Sequence, residues 1–576
     1  MRKTILSLAC VNSIIISSSF AMISGPKIRP DFGPNKSEKE FSQFLGKDKD
    51  RSAGKTYYDD LNGWFLKSPA TSGFEGVSSL ETINKYGIPS NEVIVAVVDS
   101  GTDITHPALK NKIWTNSAEA NGKAGIDDDK NGFIDDVHGW NFLGETYDAQ
   151  LEASREYIRI TSRLRAGKRI SKSDAATFNK SLEVIKEFWA GFGLPEVSDA
   201  ILVNENISYL VKAGVLKKDL TKVTEEDIVN IKNTKKSKDI SLAVKLILGH
   251  VGEKGLQQTL ADFKDYYPTK RYYKYIATYF NLSPDFKPFA GVDAQGKKYG
   301  NNNVMPIAKD ENHGTHVSGI IAAQSEVMEG VAGKMNVKIM PVRVVPNGDE
   351  RDKDVANGIK YAVDNGAKII NMSFGKGISP DVGLVRDAIK YAEKKGVLLI
   401  HAAGNDAKEL TYTNNYPNRL LSEGNLFKKA KVASNFLTVG ASTYTLIDDP
   451  NTTEEGEVET LAASFSNYDS NQVDIFAPGY KIYSTIQIEK IFGGYKAYDG
   501  TSMAAPVAAG VATLALGYFP NIRPSKMISY MKKSVKTYDP ALEVKLDSSE
   551  TPMLFNTLSK TGGIIDALNL MDMLND

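Results

Sequence analysis

The stretch "EVIVAVVDSGTDITHPAL", Glu92 to Leu109, decides the fold. Val93 to Val98 is an unbroken apolar run that stops at Asp99, two residues before Gly101. No polar residue alternates within it, so both faces are expected to be buried, as for a strand of a parallel sheet. Asp99 then stands at the C-terminal end of that strand, where open α/β sheets carry ligands and chemistry. Two later segments share one grammar. "VANGIKYAVDNGAKIINMSFG" (Val355–Gly375) has a helical period, Gly366, and a strand over Lys368–Met372; "VGLVRDAIKYAEKKGVLLIHAAGN" (Val382–Asn405) has a helical period, Gly396, and a strand over Val397–Ala402. Glycine after the last helical turn is the expected cap. "SNFLTVGAS" and "QVDIFAPG" add two more short strands. The expected class is α/β: a doubly wound, mostly parallel sheet flanked by helices.

This grammar lapses over residues 145–289. "REYIRITSRLRAGKRI", "SLEVIKEFWAGFGL", "AILVNENISYLVKAGVL" and "SLAVKLILGHV" space their apolar residues by three and four. The spacing predicts a mostly helical insertion that divides the α/β domain into 62–144 and 290–576.

The chain has 576 residues, enough for more than one core. Lys plus Arg and Asp plus Glu are 70 each, so the net charge is zero and no nucleic-acid partner is expected. At the N-terminus Arg2 and Lys3 precede an apolar stretch, Ile5–Phe20, that ends in Ser19-Phe20-Ala21. This is the pattern of an export signal over 1–21, and cleavage after Ala21 would leave no stable membrane span. The expected location is periplasmic or extracellular. The only cysteine, Cys10, lies inside that signal, so the exported chain would hold no disulfide. "LSLAC" is too close to the start to be expected to serve as a lipoprotein box. Residues 22–61 read as a polar lead-in or short propeptide.

Three polar residues stand at element ends. Asp99 closes the first strand, His313 opens "HGTHVSGIIAA", and Ser502 opens the helix of "GTSMAAPVAAG". A serine hydroxyl becomes nucleophilic when a base takes its proton, and the base needs a third group to fix its tautomer. A helix N-terminus also suits a developing oxyanion. "VVDSGTDITHPAL", "HGTHVSG" and "GTSMAAP" resemble the three active-site blocks of the subtilisin-like serine peptidases, in that family's Asp, His, Ser order. "HAAGND" is similar to the block that carries its oxyanion-hole asparagine. The resemblance implies a serine endopeptidase acting on protein or peptide substrates. In it Asp99 orients the base His313, Ser502 attacks and Asn405 donates to the oxyanion. Ser373, Phe374 and Gly375, with Ala402, Ala403 and Gly404, would line the substrate groove. No cofactor is implied for the chemistry. A different reading also stands: a catalytically occluded scaffold that binds at a surface through its helical insertion.

His316 is expected to pack rather than to hold zinc, since no acidic or cysteine partner follows at a metalloprotease spacing. His106, His250 and His401 are given bland roles. The sequence departs from the family at Ala108, where many members carry a calcium-binding aspartate, and at Val507, where histidine is common. "DDDKNGFIDD" instead reads as the first nine positions of an EF-hand-type loop. Its expected calcium ligands are Asp127, Asp129, Asn131, the Phe133 carbonyl and Asp135, with His138 where the bidentate glutamate would stand. Such a structural metal would steady a protein without disulfides.

Overall fold

In a computed structural model of the chain, Val93–Asp99 is the central strand, β1, with its side chains sent alternately into two cores. Val93, Val95 and Val97 enter one; Ala96 and Val98 enter the other. The structure describes residues 63–576 except 146–147, 192–193, 195, 217–221, 236, 252–254, 267–274, 284–298, 309–310, 425–428, 445–459 and 489–493. The expected signal and lead-in lie outside these residues. Of the described residues, those within Asp148–Ala290 form one compact unit, and those within 63–147 and 291–576 form the other.

The second unit is built on a nine-stranded sheet. Its strands are β1, β2 (Trp140–Asn141), β3 (Val337–Arg343), β4 (Ile369–Met372), β5 (Leu398–Ala402), β6 (Phe436–Ser442), β7 (Ile475–Pro478), β8 (Lys536–Thr537) and β9 (Gly563–Ile564). Their order is 8-9-7-6-5-4-1-3-2, parallel throughout except for the outer β8–β9 pair. β3 lies on one side of β1 and β4 on the other, so the winding switches sides at β1. Ligands of doubly wound sheets gather at the carboxyl ends beside such a switch. Asp99 occupies that end.

Four helices cover the sheet: α1 (His313–Ala322), α2 (Asp352–Asp364), α3 (Val382–Lys395) and α4 (Thr501–Tyr518). α1 and α4 fill the first core and α2 and α3 the second. Gly396 ends α3 at φ 74°, the left-handed cap that the sequence suggests. α4 is apolar all round and 94% buried. It is long and apolar enough to cross a membrane, yet here it is a core helix of the sheet domain. Its Pro506 cannot donate to the carbonyl of Ser502, four residues back. Ser373 Oγ donates to that carbonyl instead, at 2.8 Å. The gap left by the proline is thus filled from the strand-end loop beside α4.

The insertion unit is helical among the described residues: Glu152–Arg165, Lys172–Gly191, Glu196–Lys212, Glu225–Thr234, Lys238–His250 and Gly255–Tyr266. Ile207, Leu210, Ile228, Ile240, Val244 and Ile247 form one of its cores. The four helices read from the sequence are present. Glu225–Thr234 and Gly255–Tyr266 are additional.

Candidate active site

Asp99 and His313 lie 214 residues apart in the chain and meet at 2.8 Å, His313 Nδ1 against Asp99 Oδ1. Backbone packing makes this approach possible. Gly314 N donates to Ser100 Oγ at 3.2 Å, and a Cβ on Gly314 would lie 2.1 Å from the Gly101 carbonyl oxygen. Any side chain there would push the helix that carries His313 away from the turn that follows Asp99. Asp99 Oδ1 also accepts the Ser100 N–H at 2.7 Å. A carboxylate on Nδ1 leaves Nε2 as the basic nitrogen. His313 Nε2 is buried and has no hydrogen-bond partner among the described residues.

Ser502 is the second residue of α4 and is 2% exposed. Its Oγ donates to the Ser373 carbonyl at 2.9 Å, while Ser373 Oγ donates back to the Ser502 carbonyl. The two serines therefore tie the helix start to the loop after β4. Gly500, before α4, has φ 154° and ψ 155°, a conformation that disfavours any side chain. Asn405 Oδ1 accepts both the N–H and the hydroxyl of Thr501, at 2.8 and 2.9 Å. That fixes the amide, with Nδ2 turned toward the space a side chain on Gly500 would fill. A Cβ there would stand 3.4 Å from Asn405 Nδ2 and 3.5 Å from Ser502 N. Both nitrogens thus lie within 3.5 Å of one point beside the serine.

The two expected groove segments flank this point. The Phe374 carbonyl accepts His401 Nε2 at 2.7 Å, and Gly375 follows it. Ala402 ends β5, Ala403 N donates to the Val439 carbonyl, and Gly404 N donates to Thr501 Oγ1. His401 is thus a buried bracket between two strand ends, and desolvation pushes its pKa down to about 4. His316 stacks on Tyr498 at 4.4 Å, and burial pushes its pKa down to about 3. A neutral ring held by the Lys496 carbonyl, 2.9 Å from Nε2, and by an aromatic face is a packing group, as expected.

The acidic loop is arranged differently from the expected spacing. Carboxylate oxygens of Asp129, Glu119 and Asp136 lie within 4.8 Å of one another. Asp127 keeps one buried oxygen, Oδ1, with no hydrogen-bond partner among the described residues. Asp135 accepts the Gly125 N–H, Asn131 Oδ1 accepts the Phe133 N–H, the Phe133 ring packs on Trp140, and His138 Nδ1 lies 3.0 Å from the Trp114 carbonyl. Burial pushes the Asp136 carboxyl up to about 6, a penalty that a cation beside it would offset. Glu119 sits outside the motif, so spacing alone had no means of including it. The hard oxygen donors fit a calcium ion.

An α/β sheet thus presents a buried Asp–His pair, and a serine stands at the start of a core helix packed on that sheet. The Subtilase family model matches residues 90–547, and the chain belongs to the subtilase family. It is 31% identical over 261 residues to the halolysin-like extracellular serine protease Nep of Natrialba magadii, covering 45% of this chain and 39% of that one. It is 41% identical over 118 residues to thermitase of Thermoactinomyces vulgaris, covering 20% and 41% of the two chains. It is 32% identical over 246 residues to fervidolysin of Fervidobacterium pennivorans, covering 38% and 31%. The chain thus spans less than half the length of each of these relatives.

Proposed function

We propose that this chain is an exported serine endopeptidase that hydrolyses peptide bonds through Asp99, His313, Ser502 and an acyl-enzyme intermediate. The observation that carries the reading is the 2.8 Å contact between Asp99 and His313, made at the carboxyl end of β1, the central strand. Relatives named as extracellular and cell wall-associated proteases support export.

In this mechanism Ser502 Oγ turns from the Ser373 carbonyl to His313 Nε2. It gives that nitrogen its proton and bonds to the carbonyl carbon of a peptide held between Ser373–Gly375 and Ala402–Gly404. The carbonyl oxygen becomes an oxyanion that accepts from Asn405 Nδ2 and the Ser502 N–H. The imidazolium, steadied by Asp99, protonates the departing amine nitrogen as the C–N bond breaks. Water next gives a proton to His313 and adds to the acyl carbon. The Ser502 ester bond then breaks and the serine recovers its proton.

Asn405→Ala is expected to lower turnover roughly 10²- to 10³-fold, the size known for the equivalent donor in subtilisin, a family relative. Because Asn405 also holds Thr501, melting should fall slightly as well. Steady-state kinetics on titrated active sites checks this, and unchanged turnover would refute the role.

The occluded-scaffold reading rests on one observation: Ser502 Oγ is engaged by Ser373 while His313 Nε2 is buried without a hydrogen-bond partner among the described residues. A serine-directed fluorophosphonate separates the two readings. A peptidase labels at Ser502 and loses the label in Ser502→Ala; an occluded scaffold does not label.

The acidic loop is proposed to hold a structural calcium through Asp129, Glu119 and Asp136, with the free oxygen of Asp127. Calcium at a hundred times its Kd should stabilise the fold by about 2.7 kcal/mol. Thermal melts with calcium and with a chelator should separate, and Asp129→Asn should bring them together. Coincident melts of the unmodified chain would remove the metal from the account.

A further inference from the structure

Arg343 is among the largest fully buried side chains, and the mechanism above does not use it. It closes β3 directly opposite Asp99 in the parallel register. Its Nε donates to the Ser100 carbonyl at 2.7 Å, immediately behind Asp99. Its Nη2 donates to Glu311 Oε1 at 2.8 Å, two residues before His313, and its Nη1 reaches Asn141 Oδ1 at 3.4 Å. Glu311 uses its other oxygen to accept the N–H groups of Ile307 and Ala308, at 2.6 and 3.0 Å. Both side chains of the pair are 0% exposed.

A pair this deep is an unfavourable way to stabilise a fold. Burial alone pulls the guanidinium down and the carboxyl up from their usual ranges, and each partner opposes that for the other. Apolar residues of similar volume in place of such pairs are often neutral or stabilising. The pair therefore calls for a reason other than stability, and its position supplies one. One rigid fork joins the turn behind Asp99 to the approach to His313. The space between them is tight: a Cβ on Gly101 would lie 3.2 Å from Arg343 Cδ and 2.8 Å from the Val304 carbonyl oxygen. The fork is also electrically balanced. A guanidinium without Glu311 would oppose a positive charge forming on His313.

We infer that Arg343 and Glu311 are a positioning pair that holds Asp99 and His313 at proton-transfer geometry across the 214-residue gap between them. The inference rests on the serine-peptidase reading. Lysine at 343 keeps the charge but lacks the fork that reaches Ser100 and Glu311 together. Glutamine at 311 keeps the shape but loses an acceptor for Ile307 and Ala308 and leaves the guanidinium unbalanced.

The test measures peptide hydrolysis and the rate of fluorophosphonate labelling in the full chain, with active sites titrated and melting recorded. Arg343→Lys and Glu311→Gln are expected to lower kcat by up to about 10²-fold with KM within about twofold, because misplacement near the chemistry acts on the rate rather than on binding. Labelling should slow in the same ratio. The double variant Arg343→Met with Glu311→Leu guards against simple unfolding. It should melt near the parent temperature and still label slowly. A folded double variant with parental kcat and labelling rate overturns the inference, as does a loss that lies wholly in KM. Failure of the unmodified chain to label overturns the peptidase reading, and the inference with it. Parental labelling in folded variants overturns the inference alone.

Discussion

Ser502→Ala is expected to reduce hydrolysis by about 10⁶-fold, the size known for the nucleophile of subtilisin and not a magnitude set by this geometry. The variant keeps the Asp99–His313 pair and both donors beside Gly500, so some acceleration over water should survive. Stability should drop by about 1–3 kcal/mol, because the Ser373 carbonyl loses the hydroxyl that now donates to it at 2.9 Å in a buried site. Two instruments therefore read one substitution: the rate collapses and the melting temperature moves by a few degrees. Turnover that persists at parental level in protein free of contaminating peptidase would exclude Ser502 as the nucleophile.

Asp99→Asn should lower kcat by about 10⁴-fold with little change in KM. Asp99 Oδ1 accepts from His313 Nδ1 and from the Ser100 N–H together. An asparagine that keeps its carbonyl oxygen in that position preserves both bonds but no longer balances an imidazolium. One that presents its amide instead fixes the wrong tautomer, with the proton on Nε2, where the base must be free. The second carboxylate oxygen is buried and has no hydrogen-bond partner among the described residues. Both orientations defeat the base. Parental kcat in Asp99→Asn would show that His313 acts without this partner.

Much of this architecture is legible in the chain because it is local. The run Val93–Val98 announces a strand buried on two sides, and both cores receive it. Gly396 marks the end of a helix because only a left-handed cap joins α3 to β5 so closely. What the sequence hides is pairing across distance. Nothing near Pro506 says that its missing hydrogen bond is supplied by Ser373. Nothing near Arg343 names Glu311, which precedes it by 32 residues. β2, β8 and β9 have two residues each, too few for any period to show. Glu119 reaches the acidic loop from a one-turn helix outside the motif. The helix Glu225–Thr234 was within reach: Thr224 and Asp227 form a capping box whose signature stands in the sequence.

The body inserted between Asp99 and His313 has a consequence for what this position in the fold tolerates. Excising Asp148–Ala290 would shorten the span between the two residues to about a third. Loop closure changes by only about 0.6 kcal/mol per doubling of length, so the whole excursion weighs about 1 kcal/mol even if it behaved as slack chain. By this closure term alone, the length of the excursion places little thermodynamic load on the sheet.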